Sequence, residues 1–359
     1  MEPPAASLTT PAIFERSAPL ARVAMDPQPS PASPASPASP ASRGAPGARR
    51  ATHVPVLLRE VLQALELAPG LTVVDGTLGA GGHSLSILQR LGPSGRLISL
   101  DRDQGMIDLA RPRLAGPNAH LVHASYAQLP EVLARLGVDR VDRILLDLGW
   151  CSDQLAAADR GFSFQTNAPL DLRYDTSTGN PAWQLLASAS EEQLVDWFES
   201  FAEDRLARQH ARRIVAHRQQ HPLQTTFDLV TALTGQPGPW TARGPDSRHP
   251  ATQVFQALRI AVNRELDHLA QALDGVSDSC LKQHGILAVI SFHSLEDRMV
   301  KQSFRDPTRW QPLLSKPVSA SPAEQRLNPR SRTAQLRAAR KISPDHSPLH
   351  PPTGLPPAP

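Results

Sequence analysis

The chain has 359 residues, of which 40% are hydrophobic, so it is long enough to build two domains with real cores. Its longest apolar runs are short pieces such as GILAVISF, well below the roughly 20 residues that span a bilayer, which excludes an integral membrane protein. A formal charge of +3, from 37 basic and 34 acidic residues, permits a nucleic-acid partner without requiring one.

The first 50 residues differ in composition from the rest of the chain. They contain the repeat PSPASPASPASPAS and the run RGAPGARR, and they carry few large apolar side chains. Such a segment cannot bury enough apolar surface to fold, so residues 1–50 are predicted to be a disordered tail, as is the segment 344–359. A transit peptide would also be rich in arginine and poor in acidic residues, but prolines throughout and a missing amphipathic face weigh against one.

Strand and helix patterns alternate from position 56 onward. Four strand-like runs, LTVVDG, GRLISLD, AHLVHAS and RILLDLG, are separated by the helical runs HSLSILQRL, QGMIDLARPRL and YAQLPEVLARLG. Strands that alternate with helices predict an α/β fold with a doubly wound, mainly parallel, Rossmann-like sheet.

A long helical stretch interrupts this pattern, because the fifth strand, GILAVISF, comes only after position 285. Ser190 and Gln193 form a capping box that opens a helix running to about His217, and residues 251–273 have the pattern of another amphipathic helix. The predicted organisation is therefore one α/β domain, 51–155 and 261–343, with a helical insert at 156–260 that is a candidate for RNA recognition.

Polar or aromatic residues end each of the first four strands, where ligands bind in such a sheet. These residues are Asp75, Asp101, Tyr126 and Asp147. An acidic residue at the end of the second strand is placed to accept hydrogen bonds from both hydroxyls of an adenosine ribose. That position suits either NAD or S-adenosylmethionine.

The glycine loop VDGTLGAGGHS favours the second cofactor. A dinucleotide fingerprint requires Gly or Ala where this chain has Ser84. Asp75 would repel a diphosphate but would attract the ammonium and sulfonium groups of S-adenosylmethionine. A simpler interpretation, a glycine turn with strand-ending aspartates in any α/β protein, remains open on these residues alone.

The two cysteines, Cys151 and Cys280, lie far apart and have no Cys or His partner at ligand spacing. Neither a zinc site nor a disulfide framework is indicated, so no metal is expected, and a reducing, cytoplasmic compartment fits this pattern.

Nine blocks in order make the chain similar to a known family. They are HVPVLLREVL, VDGTLGAGGHS, LISLDRD, ILLDLGWCSDQL, RGFSF, PLDLRYD, HPATQVFQALRIAVNREL, ISFHSLEDRMVK and NPRSRTAQLR. Together they resemble the bacterial RsmH (MraW) family of S-adenosylmethionine-dependent methyltransferases that act on small-subunit ribosomal RNA. The resemblance runs from about residue 53 to residue 340.

The resemblance implies methylation of the exocyclic N4 of one cytidine in 16S rRNA, at the decoding region, within the 30S subunit or a late assembly intermediate. It also implies which residues contact the cofactor. Those positions are Gly81, Gly82, His83, Asp101, Tyr126, Asp147 and Gln154.

The chain departs from the family pattern beside the expected transfer site. Tyr126 stands where the family usually has Phe, which keeps a ring for the adenine. Trp150 and Cys151 replace the usual Val-Ser of the Asp-Leu-Gly-Val-Ser-Ser motif, and they change the wall near the methyl group.

Three residues are candidates for the catalytic group. Asp147, or a backbone carbonyl next to it, is placed to accept a hydrogen bond from the target amino group. Trp150 has the spacing of a ring that stacks on a flipped base, although packing beneath the insert is the alternative. His293, after the fifth strand, is a candidate base or, with Ser291 and Ser294, a lining residue of the substrate pocket, although a structural histidine is equally consistent with its position.

Four other charged residues have simpler alternatives as ion pairs. Asp171 and Arg173 would lie near the pocket if the insert folds over it, or would form a hinge ion pair. Glu296 and Arg298 are expected to pair with each other on one helix.

Two basic stretches are candidates for phosphate contacts, although a solvated helix face is the usual meaning of such a run. The insert carries Arg205, Arg208, Arg212, Arg213 and Arg218, which Glu203 and Asp204 could partly neutralise, and the C-terminal segment carries Arg326, Arg330, Arg332, Arg337, Arg340 and Lys341.

Two other classes of protein fit parts of the pattern. A nicotinamide-dependent oxidoreductase would use the same strand-end aspartate, but it needs the missing fingerprint residue and a hydride-transfer site. A non-catalytic RNA-binding or ribosome-assembly factor would keep the basic surface and lose the cofactor residues. Calorimetry with S-adenosylhomocysteine and with NADH separates these classes.

Overall fold

The computed structural model describes residues 55–156, 160–238, 249 and 251–342. All of them belong to one compact unit, residues 51–359. The predicted tails, 1–50 and 344–359, lie outside the described residues.

The strands in the described part of the chain join in one sheet with the order β3-β2-β1-β4-β5-β8-β6, and β7 pairs with β8. They are β1 (Thr72–Asp75), β2 (Arg96–Asp101), β3 (Ala119–His123), β4 (Val141–Asp147), β5 (Leu281–Ser291), β6 (Trp310–Pro312), β7 (Val318–Ser319) and β8 (Gln335–Lys341).

Strands β1 to β5 are parallel, which confirms the predicted α/β sheet. The chain leaves β1 for β2 and β3 on one side and returns to β4 on the other, so β1 and β4 flank the point where the strand order reverses. A crevice forms at such a reversal, beyond the carboxyl ends of the strands.

Helices connect these strands and form the insert. In the described residues they are α1 (Leu58–Ala64), α2 (Gly82–Leu91), α3 (Gln104–Ala110), α4 (Leu129–Arg135), α5 (Ser152–Ala156), α6 (Ala182–Ser188), α7 (Glu191–Ala202), α8 (Ala207–Arg218), α9 (Thr226–Thr234), α10 (Ala251–Asn263), α11 (Glu265–Gln271), α12 (Ser277–Cys280), α13 (Ser294–Ser303) and α14 (Pro322–Leu327). A π-helical turn, Ala272–Val276, joins α11 to α12.

The capping box of Ser190 and Gln193 is present at the start of α7, but the single helix predicted to follow it is wrong. The helix ends at Ala202 because Glu203 takes a left-handed conformation with φ of 49°, and α8 starts a new axis. Asp204 fixes the break, since one carboxylate oxygen accepts the Leu206 amide and the other lies 2.6 Å from His210 Nδ1.

The helix predicted over 251–273 is also broken. Arg264 is left-handed, with φ of 51°, and separates α10 from α11. Asn263, at the end of α10, is buried, and its amide donates to the carbonyl of Leu172 and accepts the amide N–H of Tyr174. These bonds tie the end of α10 to the segment that precedes α6, so tertiary contacts decide where the helix stops.

Among the described residues, three clusters of buried apolar side chains make up the core. Two of them, one around Val74, Ile144 and Val289 and the other around Val73, Leu97 and Ile286, include alternate residues of the central strands. The third consists of insert residues, among them Phe198, Leu229 and Leu258. A separate apolar cluster agrees with the division into an α/β domain and an insert, which stays a prediction.

Strand β8, antiparallel to β5, was not predicted. Its sequence, QLRAARK, looks basic, but Leu336, Ala338 and Ala339 are buried against the sheet. Among the described helices, none is long and apolar enough to cross a membrane.

Candidate active site

A cleft of about 1040 Å³, partly open to solvent, lies at the carboxyl ends of the central strands. Gly76, Asp101, Asp147 and Phe292, which end or directly follow β1, β2, β4 and β5, all line it. Of the predicted site residues, the cleft brings together Gly82, His83, Asp101, Tyr126, Asp147, Trp150 and Gln154.

The glycine loop shapes one wall of the cleft. Gly81 has φ of 80° and begins α2, a conformation that residues with a Cβ atom adopt at a cost. Gly82 lines the cleft, and a Cβ atom there would lie 2.4 Å from Pro55 Cγ. Gly81 is not a lining residue, because it faces Ala110 and Leu114, so its contribution is to the shape of the loop.

Asp101 connects the end of β2 to the glycine loop. Its Oδ2 atom accepts the Gly79 amide at 2.8 Å, and its Oδ1 atom accepts the Asp103 amide at 2.9 Å. Burial raises the pKa of Asp101 to about 6, against the effect of these two backbone hydrogen bonds. Each carboxylate oxygen keeps a second lone pair, so the group can still accept hydrogen bonds from a ligand.

Asp75 does not line the cleft, and its predicted attraction for the cofactor stays a prediction. It is fully buried, its Oδ2 atom accepts the Ser84 hydroxyl at 2.7 Å, and its Oδ1 atom accepts the Thr77 amide. Burial raises the pKa of Asp75. This pairing gives Ser84 a structural reason to stand where a dinucleotide fingerprint has Gly or Ala.

His83 and Asp147 face each other across the glycine loop. His83 Nε2 lies 3.5 Å from Asp147 Oδ2, which is an ion-pair contact and too long for a good hydrogen bond. Burial works against a charged His83 ring, but the carboxylates of Asp147 and Asp75 outweigh it and raise the pKa of His83.

Within the described structure, three atoms of this pair are buried and have no hydrogen-bond partner. They are Asp147 Oδ1 and both ring nitrogens of His83. Buried polar atoms without partners are rare in native proteins, and they commonly mark a place where a ligand completes the hydrogen bonding.

Gln154 lines the cleft, but both ends of its amide are engaged. Its Oε1 atom accepts the Cys151 amide, and its Nε2 atom donates to Asp103, which also pairs with Arg160 at 2.6 Å. The network holds the turn after β4 against the turn after β2.

Trp150 is half-buried and is neither a free stacking platform nor a core residue. It packs against the insert cluster, and the guanidinium carbon of Arg330 lies 4.5 Å from the centre of its ring. Phe292 is a second aromatic neighbour of Arg330, at 5.8 Å. The run of basic residues predicted a basic surface for Arg330 and not a place in the cleft, and the signal that could have found this place was the NPRSR block.

His293 is not among the lining residues, although Glu296 is. His293 Nε2 lies 3.0 Å from Glu296 Oε1, and Glu296 Oε2 accepts the Phe292 amide. The predicted pair of Glu296 with Arg298 is therefore wrong, since Arg298 binds Glu203 instead. This geometry favours the structural interpretation of His293.

Glu265, His293 and Glu296 bring possible metal-ligand atoms within 4.8 Å of one another. However, the Arg259 guanidinium already binds both oxygens of Glu265, at 2.8 and 2.9 Å. Arg259 therefore partly neutralises the negative charge of the cluster, and the geometry by itself does not indicate a bound cation.

Other predicted pocket residues lie outside the cleft. Asp171 and Arg173 form a bidentate ion pair with two 2.8 Å contacts, as the hinge alternative predicted. The Ser291 hydroxyl faces the Gln335 carbonyl, and the Ser294 hydroxyl donates to Glu203.

The two basic stretches are only partly available for phosphate contacts. In the C-terminal segment, Arg337 binds Asp297, Arg340 binds Glu66, and Lys341 is buried against backbone carbonyls. In the insert, Arg213 and Arg218 donate to the carbonyls of Leu233 and Leu186. The acidic residues expected to neutralise this face, Glu203 and Asp204, bind Arg298 and His210 instead.

The sequence of the chain is similar to those of known proteins. The model of the MraW methylase family matches residues 50–342. A ribosomal RNA small subunit methyltransferase H from Sorangium cellulosum is 46% identical over 296 residues, which cover 82% of this chain and 92% of that protein. The protein of the same name from Nitratidesulfovibrio vulgaris is 44% identical over 324 residues, covering 84% of this chain and 89% of that one.

A solved structure of an rRNA methylase from Streptococcus thermophilus is also similar, at 10% identity and a TM-score of 0.37. The match covers 80% of this chain and 95% of that one, and it is too distant to support an argument about function.

Proposed function

The chain belongs to the MraW methylase family and is an S-adenosylmethionine-dependent methyltransferase, and on that premise we propose that it methylates the exocyclic N4 of a cytidine in 16S rRNA. We place this cytidine at the decoding region, within the 30S subunit or a late assembly intermediate. The observation that carries the proposal is the strand-end cleft, which Asp101 lines together with the incompletely bonded pair of His83 and Asp147.

The residues of the cleft fit the cofactor. Asp101 would accept hydrogen bonds from the ribose hydroxyls, and the Tyr126 ring would pack against the adenine. The unpartnered ring nitrogens of His83 would meet the charged amino-acid end, while Gly82 lets the loop pass close to Pro55. Gln154 would act through Asp103 and the loop amides that it holds.

The main contribution of the protein to the reaction would be to position the target nitrogen next to the methyl group. When bound, the cofactor supplies a methyl group that its sulfonium already activates. The protein has to hold the target nitrogen in line with that methyl group, at about 3 Å. The free Oδ1 atom of Asp147 would accept a hydrogen bond from the N4 amino group, which favours the form of the nitrogen with an available lone pair. The nitrogen would lose one proton to water as its bond to carbon forms, while the carbon–sulfur bond breaks and leaves S-adenosylhomocysteine as the second product.

The proposal is tested on the natural substrate by mass spectrometry of 16S rRNA nucleosides. A strain that lacks the gene is expected to lose the N4-methyl mark at one cytidine, and the wild-type gene restores it. A gene carrying Asp101→Ala is expected to restore little of the mark. If the deletion strain keeps the mark and loses only subunit assembly, the chain is a non-catalytic assembly factor instead.

The affinity for S-adenosylhomocysteine is expected to fall as the pH is lowered through about 6, the pKa of Asp101. Ribose hydroxyls need the ionised carboxylate, so below this pKa each pH unit costs up to about tenfold in affinity until the bound carboxylate itself protonates. Calorimetry between pH 5 and pH 8 measures the effect.

The control for this pH dependence is Asp101→Asn, which cannot titrate and should give a flat profile at lower affinity. The pKa of His83 is also raised, so a slope that persists in this variant would assign the titration to His83 and Asp147 instead.

A further inference from the structure

Three side chains from distant parts of the chain meet on one side of the cleft. Trp150 follows β4, Phe292 follows β5, and Arg330 lies in the 3₁₀ turn before β8. The guanidinium carbon of Arg330 lies 4.5 Å from the centre of the Trp150 ring and 5.8 Å from that of Phe292. Stacking uses the flat faces of a guanidinium and leaves its N–H groups, which lie in the plane, free to donate.

Nearby arginines of the C-terminal segment are paired with carboxylates, whereas Arg330 is not paired with any carboxylate of the described residues. Arg337 and Arg340 each bind a carboxylate through two contacts, whereas Arg330 has no ion pair or hydrogen bond within the part of the chain that the structure describes. Arg330 is half-buried, so water solvates its charge poorly, and this burial lowers the pKa of Arg330. A half-buried cation with unused donors in a cleft is suited to an oxygen acceptor on a ligand.

The strand order indicates which ligand this is. Asp101 ends β2 and Tyr126 follows β3, on one side of β1, whereas Trp150 follows β4, Phe292 follows β5 and Arg330 precedes β8, on the other side. The cofactor carries a net positive charge, because its sulfonium and ammonium groups outnumber its one carboxylate, and this net charge gives no attraction to a second cation. Arg330 therefore lies in the half of the cleft that the methyl acceptor would enter.

We propose that Arg330 is a positioning residue for the target nucleotide, donating its in-plane N–H groups to an oxygen of that nucleotide while Trp150 and Phe292 hold the guanidinium. The inference rests on the proposed function, because it takes the nucleotide to be the methyl acceptor. The oxygen can belong to the phosphate or to the base carbonyl, and both are acceptors that a fixed guanidinium recognises.

In this arrangement the Trp150 ring would hold the guanidinium of Arg330 in place. The family usually has Val at this position, and a tryptophan ring is the best aromatic platform for a guanidinium. Arg330 already lies over one face of the ring that was predicted to stack on a flipped base, so Trp150 would act on the nucleotide through the arginine.

The first variant to test is Arg330→Met, which keeps the apolar stem and removes the charge. We expect kcat/KM for methyl transfer to 30S particles to fall at least tenfold, with an unchanged melting temperature and an affinity for S-adenosylhomocysteine within twofold of wild type. Arg305→Ala, an exposed arginine that does not line the cleft, controls for loss of one positive charge. Every variant is compared with the wild-type protein in the same assay. If the wild-type protein does not methylate 30S particles, the proposed function is wrong; if only the variants behave differently from the expectation, the role of Arg330 is wrong.

Two measurements distinguish the sources of the oxygen. If it is a phosphate, Arg330→Lys restores most of the activity, and Arg330→Met lowers the salt dependence of RNA binding by about one unit of slope. If it is the base carbonyl, lysine restores little and the slope is unchanged, because a point charge does not replace the planar fork.

Trp150→Val tests the coupling within the stack. We expect Trp150→Val to lower kcat/KM less than Arg330→Met does. The double variant should have the same kcat/KM as Arg330→Met alone, because both substitutions remove the same contact between the two side chains. Additive effects would show that the two side chains act separately. A loss of S-adenosylhomocysteine affinity as large as the loss of turnover in Arg330→Met would assign the arginine to the cofactor carboxylate and overturn the proposal, as would unchanged kcat and KM.

Discussion

Replacement of Asp101 by alanine is expected to lower the affinity for S-adenosylhomocysteine at least tenfold while the protein stays folded. The carboxylate is the proposed acceptor for two ribose hydroxyls, and each lost hydrogen bond to a charged group costs roughly 1.5–3 kcal/mol. It also holds the amides of Gly79 and Asp103, so the glycine loop loses an anchor in the same variant. Isothermal titration calorimetry measures the affinity, and the melting temperature reports the fold.

Two control variants show whether the charge of Asp101 is responsible for the loss of affinity. Asp101→Asn keeps the shape and one acceptor atom but loses the charge, so it should retain more affinity than alanine does. Asp108→Ala removes the same charge from an exposed position on α3, where the carboxylate accepts a hydrogen bond from Gln104. An unchanged affinity in a folded Asp101→Ala protein would remove Asp101 from the site.

The parallel sheet and the centre of the cleft could be predicted because their signals are local. Each of the first four strands is an apolar run that ends in a turn, and parallel strands bring their carboxyl ends to one edge. Asp101, Tyr126 and Asp147 therefore had to meet there, and the structure places all three in one cleft. The capping box at Ser190 is equally local, which is why the start of α7 was predicted correctly.

The features that were missed depend on residues far apart in the chain. Nothing near Glu203 in the sequence marks it as left-handed, and its conformation is stabilised by contacts with Arg298 and Ser294 of α13. The stacking of Arg330 against Trp150 likewise appears only after β8 has paired with β5. A run of arginines predicts a basic surface until the fold shows which of them meet carboxylates or aromatic rings.

Asp147→Ala is expected to lower kcat for methyl transfer about a hundredfold at saturating cofactor, within the range for loss of one positioned polar group. The unpartnered Oδ1 atom is the acceptor proposed for the target amino group, and alanine offers no replacement. Asp147→Asn keeps an amide oxygen without the charge, so its kcat should lie between those of alanine and wild type. Single-turnover methylation of 30S particles measures the step.

His83 provides the matched control, because the ion pair with Asp147 could itself account for a loss of activity. His83→Gln removes the positive partner and leaves the Asp147 acceptor in place, so it should affect kcat much less than Asp147→Ala, although it can weaken cofactor binding. If His83→Gln reproduces the hundredfold loss, the ion pair rather than the acceptor is what the reaction needs. If Asp147→Ala weakens S-adenosylhomocysteine binding but keeps the wild-type kcat at saturation, Asp147 is a cofactor anchor, and a backbone carbonyl of Leu148 or Gly149, both of which line the cleft, becomes the remaining acceptor for the amino group.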